Sequence, residues 1–382
     1  MAVDLTPRQP AKAYGGEGGA YYEWSPAELP MLGVASIGAA KLSLAAGGMS
    51  LPSYSDSAKV AYVLQGMCMQ PIHLDDSIAD TQTPNLLPHL MPILGIFKRC
   101  AVTIEGISHR TRGLRYPKRI AEVSPEYQTL YSFFKIKKST DTYGIRIGLY
   151  RGSIRVSGQY PSIGAGFSTE FVGRAWDLKQ DAAAKLVSSQ PASGIVKLSA
   201  GQKLPEPVAE DRKDMALNCL EAKLDVDIPK GGRVVVLNTA NLPLVKEVGL
   251  GADLVRIDAH SMCSPGFSCD SAYQVTYIVR GSGRVQVVGP DGKRVLETRI
   301  EGGSLFIVPR FHVVSKIADA SGMEWFSIIT TPNPIFSHLA GKTSVWKAIS
   351  PEVLEASFNT TPEMEKLFRS KRLDSEIFFA PN

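Results

Sequence analysis

The strongest constraint on the fold is that the sequence repeats itself. Residues 56–66 (DSAKVAYVLQG) and 270–281 (DSAYQVTYIVRG) share Asp-Ser-Ala, Val-x-Tyr and a closing glycine in the same order, with one residue of slippage. Further on, 166–176 (GFSTEFVGRAW) corresponds to 335–346 (IFSHLAGKTSVW), and a charged, helix-like stretch follows each. Two copies of one module in tandem explain this order. With 382 residues, the chain can give each copy its own core.

The second copy has the pattern of a series of short strands. The β-rich runs 284–289 and 293–300 are separated by the turn sequence Pro290-Asp291-Gly292, and further runs follow at 303–309 and 324–330. Short strands with glycine-bearing turns at this spacing are typical of an all-β sandwich or barrel. We also expect Val275, Tyr277 and Val279 to help fill the barrel and Arg280–Gly283 to turn the chain.

Helices are predicted after each barrel. Ser350-Pro351-Glu352 and Thr361-Pro362-Glu363 each combine a hydroxyl N-cap, a proline at the first helical position and an acid in the first turn. Ser25–Glu28 is a capping box near the N-terminus. We therefore predict a mainly β chain with an N-terminal module over 1–200, a linker over 201–214 that is rich in Lys, Glu and Pro, and a C-terminal module with a helical tail over 215–382.

The second module resembles a known family. Residues 303–309 (GSLFIVP) and 339–354 (LAGKTSVWKAISPEVL) resemble the bicupins of the 11S (legumin- or glutelin-type) seed globulins, in particular the shorter plant branch without a signal peptide. The resemblance covers about residues 1–66 and 164–382. It implies tandem cupin (jelly-roll β-barrel) domains, a nutrient-reservoir role of the seed-storage type, no enzymatic activity, and homotrimers that pair into hexamers.

Residues 67–163 fit neither the internal repeat nor this family. The segment loses the period-2 alternation that would close a barrel, and it holds thirteen Lys or Arg against seven Asp or Glu between Gly66 and Gly164. One hypothesis is a genuine basic insertion. The other, which we favour, is a frame-shifted or intron-derived translation, which would leave the first barrel incomplete. The Arg110–Arg119 cluster has only Tyr116 as an interleaved aromatic, so we expect no nucleic-acid binding.

Metal-binding cupins use a His-x-His pair, a glutamate and a third histidine, which together suit a transition metal. In the second module these positions hold Gly266–Ser268, Tyr273 or Gln274, and Val314; in the first they hold Ser53–Ser55 and Lys59 or Val60. We therefore predict no metal ligands, no cofactor and no cofactor-binding residues.

The remaining candidates for chemistry are isolated in the sequence. His312 lies two residues from the third ligand position, and His260 and His338 lie in loop or helix-entry contexts. Ser264, Ser268 and Cys269 have no evident histidine–carboxylate pair, so we predict no catalytic residues. Cys263 and Cys269 are expected to be buried structural thiols rather than a disulfide. The two glycines of Gly281–Gly283 indicate a hairpin turn rather than a phosphate loop.

The processing signals of storage globulins are incomplete. The family cleavage site, an asparagine followed by glycine, corresponds to Asn218-Cys219, and Asp225 occupies the position of the interchain cysteine. The N-terminal residues contain no signal-like apolar run, and no stretch has the ~20 apolar residues that cross a bilayer. We expect an uncut, cytoplasmic chain rather than a vacuolar one, with no membrane partner.

The resulting prediction is a non-enzymatic 11S globulin-like bicupin that associates with itself. The alternative is a metal-free cupin enzyme or small-ligand-binding protein that uses Ser268, Tyr277 and Gln274 inside the barrel. A pseudogene product without function is a third hypothesis, which the off-pattern segment keeps open.

Overall fold

The computed structural model describes residues 4–53, 59–65, 68–72, 93–97, 101–105, 132–136, 142–149, 166–191, 194–202, 216–374 and 376–381. For residues 52–53, 59, 65, 247–248 and the strands between 68 and 149, only the backbone is described. The chain forms two compact units. The N-terminal unit comprises the described residues of 11–23 and 37–218, and the C-terminal unit those of 1–10, 24–36 and 219–382.

The N-terminal segment belongs to the C-terminal unit, whereas the sequence prediction placed all of 1–200 in the first module. Arg8 and Leu305 exchange two backbone hydrogen bonds of 2.9 Å. The buried Trp24 donates from Nε1 to the carbonyl oxygen of Arg8 at 2.8 Å and packs edge-on against Tyr277, with ring centroids 6.1 Å apart. Local sequence patterns carry no information on such a long-range pairing. The predicted linker lies outside the described residues from 203 to 214.

The N-terminal unit consists of two antiparallel sheets. Their twelve strands are β1 Ala11–Gly16, β2 Gly19–Trp24, β3 Ile37–Leu44, β4 Gly48–Ser53, β5 Lys59–Gln65, β6 Cys68–Ile72, β7 Ile93–Phe97, β8 Ala101–Glu105, β9 Ser132–Ile136, β10 Thr142–Leu149, β11 Ile195–Lys197 and β12 Ala216–Asn218. The larger sheet has the order β1-β2-β3-β10-β5-β8-β12 and the smaller one β11-β4-β9-β6-β7. Leu42, Leu44 and Val63 of the larger sheet form one core cluster with Ile195 of the smaller sheet.

Where the structure describes the off-pattern segment 67–163, it forms five strands of these sheets, β6 to β10. Strand β10 pairs with β3 over eight residues and also with β5. The loss of period-2 alternation in this segment therefore gave no indication that its backbone pairs with the strands of both sheets. The interpretation of the segment as an insertion or a translation artefact stays a prediction, and the Arg110–Arg119 cluster lies outside the described residues.

The C-terminal unit is a single antiparallel sheet system, in which strands of 15 and 17 residues occur beside the short strands that were predicted. Its strands are β13 Val226–Ile228, β14 Gly232–Leu237, β15 Gly251–Ile257, β16 Met262–Ser268, β17 Gln274–Val288, β18 Arg294–Glu301, β19 Leu305–Val308, β20 Val313–Ile329, β21 Phe336–His338 and β22 Phe378–Phe379. The main path runs β13-β14-β15-β20-β16-β21, and β17 pairs with β18, β19 and β20. The predicted hairpin around Pro290–Gly292 is confirmed as the β17–β18 connection.

The prediction that Arg280–Gly283 turns the chain is wrong. Strand β17 continues through this segment, with register shifts against β20 at Ile278/Arg280 and Gly281/Gly283. Gly281 has a φ of +77°, and a Cβ there would lie 2.0 Å from the carbonyl oxygen of Gly322. The glycines thus serve a bulge and a close strand approach, not a hairpin.

The repeat predicted from the sequence has the same burial in both units. Val60 and Tyr62 on β5 are 1% and 0% exposed, and Val275 and Tyr277 on β17 are 0% and 3% exposed. Val279 is only half-buried. The mainly β tandem architecture is therefore confirmed at the residues that defined the repeat.

Six short helices accompany the sheets within the described ranges: α1 Met31–Ala35, α2 Thr169–Trp176, α3 Gln180–Ser188, α4 Val245–Val248, α5 Pro351–Phe358 and α6 Pro362–Ser370. The two predicted proline-initiated helices, α5 and α6, are confirmed, with Ser350 and Thr361 at their N-caps. The capping box at Ser25 forms only a turn, because Pro30 lacks the N–H that would continue a helix, and α1 begins at Met31. None of the described helices is both long and apolar enough to cross a bilayer.

Candidate functional site

The register of the strands places two of the predicted metal-ligand positions next to each other. Gly266 on β16 is the Cα partner of Val314 on β20 and of His338 on β21. A Cβ at Gly266 would lie 2.8 Å from Nδ1 of His338, so the histidine ring covers this glycine. Neither Gly266 nor Val314 has a side chain that binds a metal. The ring of His338 fills the space that a side chain at Gly266 would need.

The other predicted ligand positions are used for packing and hydrogen bonds. Gln274 donates from Nε2 to Oγ of Ser327 at 3.2 Å, and the Arg310 guanidinium lies 4.6 Å from the ring centroid of Tyr273. In the first module, the side chains of Ser53–Ser55 and Lys59 lie outside what the structure describes. No group of three or more His, Cys, Asp or Glu side chains comes together among the described residues.

The three singled-out histidines lie apart from one another in the strand pattern. His312 is in a turn, where its Nδ1 is 2.8 Å from the carbonyl oxygen of Arg310, and His260 has a φ of +58° in another turn. His338 lies on a strand rather than in a loop. Burial lowers the pKa of His338, opposed by a hydrogen bond to the backbone of Ser264. At neutral pH the ring is therefore uncharged.

The candidate nucleophiles are held by structural hydrogen bonds. Ser264 donates to the carbonyl oxygen of Ala340 at 2.9 Å, Ser268 donates to Asp270 Oδ1, and Cys269 Sγ is 2.9 Å from Ser337 Oγ. Among the described residues, none of these three side chains bonds to a histidine, so no base is placed to activate them. Cys263 and Cys269 are both free thiols, but Cys269 is exposed and Cys263 is half-buried, whereas both were expected to be buried.

A different set of side chains, which we call the buried polar cluster, lies on one face of the C-terminal sheet. Its members are Asp253 on β15, Gln274 and Thr276 on β17, and Lys316, Trp325 and Ser327 on β20. All six side chains are at most 6% exposed. Of the alternative set proposed from the sequence, only Gln274 belongs to the cluster. Tyr277 points to the opposite face, against Trp24, and Ser268 bonds to Asp270.

The cluster is built by strand register. Asp253 is the Cα partner of Ser327, which is in turn the partner of Thr276 on the far side of β20. The Thr276 and Ser327 hydroxyl oxygens are 3.2 Å apart. Lys316 reaches across from the other half of β20, and its Nζ lies 4.4 Å from the ring centroid of Trp325. A cation over a buried indole face is favourable, so Trp325 partly compensates the desolvated ammonium.

Burial shifts the pKa values of the ionisable groups in and beside the cluster. Burial raises the pKa of Asp253 to about 6, although Ser327, Lys316 and Gln274 favour its ionised form. Burial lowers the pKa of Lys316 and raises that of the neighbouring Cys263 thiol to about 11. Asp253 therefore keeps its proton to a higher pH than an exposed aspartate does.

Sequence reasoning missed Asp253 and Lys316. Each is a charged residue with an apolar or small residue on either side, in GADLVRI and in VVSKIADA. A charge inside such a run is the signal that could have identified them, because Asp and Lys are almost never fully buried without a specific interaction.

The opposite face of the same sheet carries a separate charge cluster. Glu324, whose side chain is 4% exposed, is 2.7 Å from Arg256 Nε and 2.9 Å from Arg280 NH2. These arginines are partly exposed, with 31% and 64% of their side-chain surface accessible. The carboxylate joins β15, β20 and β17, so its role is structural.

Comparison with known proteins identifies the family. The Cupin family profile matches residues 5–73 and 217–366, which is more than half of the chain. The chain belongs to the cupin family. Residues 74–216 lie outside the match and include most of the off-pattern segment.

Individual relatives of this cupin are seed storage proteins. The 13S globulin seed storage protein of Fagopyrum tataricum is 34% identical over 154 residues, or 40% of this chain and 30% of that protein. Glutelin type-D 1 of Oryza sativa subsp. japonica is 26% identical over 253 residues, 59% of this chain and 52% of that protein. The matches thus span between about a third and a half of these relatives.

Solved structures show the same architecture over the whole chain. The crystal structure of pumpkin seed globulin superposes with a TM-score of 0.82 at 19% identity and covers 99% of this chain and 98% of that one. Procruciferin, the 11S globulin of Brassica napus, gives a TM-score of 0.80 at 18% identity. The resemblance to 11S globulins that the sequence indicated is confirmed.

Proposed function

We propose that this cupin is a non-enzymatic nutrient reservoir of the 11S globulin type. The observation that carries the proposal is that Gly266 and Val314, at the ligand positions of metal-binding cupins, provide no ligand atoms, while the similar proteins are named as seed storage globulins and glutelins. Storage requires a stable fold that packs densely, and it tolerates the absence of catalytic ligands.

The proposal includes self-association through the helices that follow each barrel. In the N-terminal unit, Phe171 and Trp176 of α2 are 66% and 63% exposed; in the C-terminal unit, Met364 and Leu367 of α6 are 54% and 51% exposed. Exposed aromatic and aliphatic side chains on both helical arms favour a partner of the same kind. We take the occupant to be a second copy of the chain, in a homotrimer that pairs into a hexamer.

A helix-face substitution tests this association. Leu367→Glu places a charge among the exposed apolar side chains of α6. We expect this variant to shift the equilibrium from oligomer toward monomer, measured by chromatography with light-scattering detection. Lys366→Glu is the matched control, because it introduces the same side chain one position away on an exposed polar residue. If Leu367→Glu and wild type elute with identical masses, α6 is not the association surface.

We also propose that the chain stays uncut and cytoplasmic. Cys219, beside the Asn218 position of the family cleavage site, is 3% exposed, and Asn218 ends a strand that pairs with β8. Asp225, at the position of the interchain cysteine, accepts a hydrogen bond from the backbone N–H of Val236 at 2.7 Å. Non-reducing and reducing gels of tissue extract should both give one band at the full-chain mass. Two disulfide-linked chains would refute this.

A further inference from the structure

Strand β18 forms a long edge of the C-terminal sheet. Among the described residues it pairs with β17 and with no other strand, and it is eight residues long. The strands at the two ends of the main path, β13 and β21, have three residues each. Natural sheets shorten their edge strands or interrupt them with proline or a bulge, because a long free edge pairs with another strand. The sequence of β18, RVLETRIE, has no proline, and its register shift lies at its start, opposite Val287 and Val288.

The two faces of β18 differ in polarity. Leu296 and Ile300 point to the core and are 9% and 1% exposed. The residues that alternate with them are exposed, and three of these carry charges of alternating sign, Glu297, Arg299 and Glu301. Charged side chains often protect an edge from pairing, but a row of alternating charges also matches a second copy of itself.

Arg299 faces a like charge within its own sheet. Its cross-strand partner on β17 is Arg284, and like charges directly opposite each other destabilise a strand pair. Arg299 also forms an ion pair with Asp319 at 2.8 Å, but 70% and 35% of the two side-chain surfaces are accessible, so this pair contributes little. A carboxylate on the open side of Arg299 would therefore offset the charge of Arg284.

A second copy of β18 supplies such a carboxylate. Two identical strands pair antiparallel about a two-fold axis perpendicular to the sheet, which keeps the core faces of both copies on the same side. Opposite residues must then differ in number by zero or an even count. We propose that β18 pairs antiparallel with β18 of a second copy of this chain, with Thr298 opposite itself and Glu297 of each copy opposite Arg299 of the other.

The side chains select this register over its neighbours. With Thr298 at the axis, Leu296 lies opposite Ile300, so the apolar row continues across the contact. Moving the axis to Glu297 places Glu297 opposite itself, and moving it to Arg299 places Arg299 opposite itself. Both shifts bring like charges together, which is unfavourable. The contact uses different residues from α2 and α6, so it does not depend on the association proposed through those helices.

Disulfide trapping tests the register. Thr298→Cys should form a covalent dimer on oxidation with diamide, because directly opposite Cα atoms of antiparallel strands are about 4.5–5.5 Å apart, within reach of a disulfide. Val295→Cys is the matched control, since residue 295 is more exposed but its two copies would lie about 20 Å apart along the strands. Both changes are made in Cys269→Ser, which removes an exposed thiol, and non-reducing gels measure the dimer. Absence of a dimer with Thr298→Cys, or equal amounts with both variants, would overturn the proposed register.

Charge reversal tests the contact itself. Glu297→Arg and Arg299→Glu each place like charges opposite each other at two symmetric positions, so each should raise the dissociation constant of the contact roughly 10-fold or more in sedimentation equilibrium. The double variant restores opposite charges and should recover the original dissociation constant. It loses both ion pairs within the chain, with Arg294 and Asp319, so such a recovery comes from pairing between copies.

These samples all carry Leu367→Glu, so that association through α6 does not contribute. The matched control is Arg233→Glu, which reverses an exposed arginine paired with Asp227 on a strand that is flanked on both sides, and it should leave the dissociation constant unchanged. Circular dichroism establishes that each variant is folded. A parent chain that is monomeric in this assay, or a double variant that associates as weakly as the single ones, would show that β18 does not pair with itself.

Discussion

Replacing Asp253 with asparagine should stabilise the C-terminal unit at neutral pH but not at acid pH. Burial raises the pKa of Asp253 from 3.8 to about 6, so the folded state holds the proton more tightly than the unfolded state. The free energy of unfolding contributed by this group is therefore fully present below about pH 4 and is lost as the pH rises to about 6. A difference of about two pKa units corresponds to roughly 3 kcal/mol. The amide introduced by Asp253→Asn has the shape of the protonated acid and does not ionise, so the stability of the variant should lack this loss.

The measurement is urea unfolding of wild type and Asp253→Asn between pH 4 and pH 7.5, followed by tryptophan fluorescence. The variant should be similar to wild type at pH 4 and more stable than wild type by roughly 3 kcal/mol at pH 7.5. Asp258→Asn, at an exposed carboxylate, is the control and should track the wild type throughout. Parallel stability curves for wild type and Asp253→Asn would show that Asp253 is not titrating in a buried environment. A difference that shrinks as the pH rises would contradict the sign of the argument.

Two further predictions concern the packing of the C-terminal unit. Glu324→Gln removes the carboxylate between Arg256 and Arg280 and should lower the free energy of unfolding by about 2–4 kcal/mol. Glu297→Gln, at the exposed pair with Arg294, should lower it by less than about 1 kcal/mol in the same denaturation assay. Equal losses for the two variants would contradict the stabilising role of the buried Glu324 carboxylate. Thr361→Ala removes the hydroxyl that accepts from the N–H of Met364 at 3.3 Å and should cost about 1 kcal/mol in thermal unfolding. Ser350 makes no side-chain cap bond, so Ser350→Ala should change the melting temperature less than Thr361→Ala, and the reverse order would argue against the cap.

Much of the C-terminal fold could be predicted from local sequence. The turn at Pro290–Gly292 and the helix starts at Ser350 and Thr361 depend on residues close together in the chain, and all three are confirmed. Gly281–Gly283 was misjudged because glycine serves both a hairpin turn and a bulge. The choice between them depends on how closely Gly322 approaches, which is a contact between distant strands.

The remaining features depend on pairing across the chain. The bond exchange between Arg8 and Leu305 assigns the N-terminal segment to the C-terminal unit, and no local pattern encodes it. Gly266 and Val314 could be recognised as lacking ligand atoms from residue chemistry alone. Asp253 and Lys316 were missed because they lie on different strand pairs: Asp253 is opposite Ser327 in the last part of β20, whereas Lys316 lies in the first part of β20, opposite Cys263 of β16, so only the folded sheet brings them together.

Native mass spectrometry of the full chain tests the central claim most directly, because one spectrum reports both the number of copies and any bound metal. The account predicts a species of three chain masses, or a pair of such trimers, with no stoichiometric transition metal. A chain that remains monomeric at every concentration, or that carries one transition-metal ion per copy, would contradict the assignment as a non-enzymatic, storage-type cupin.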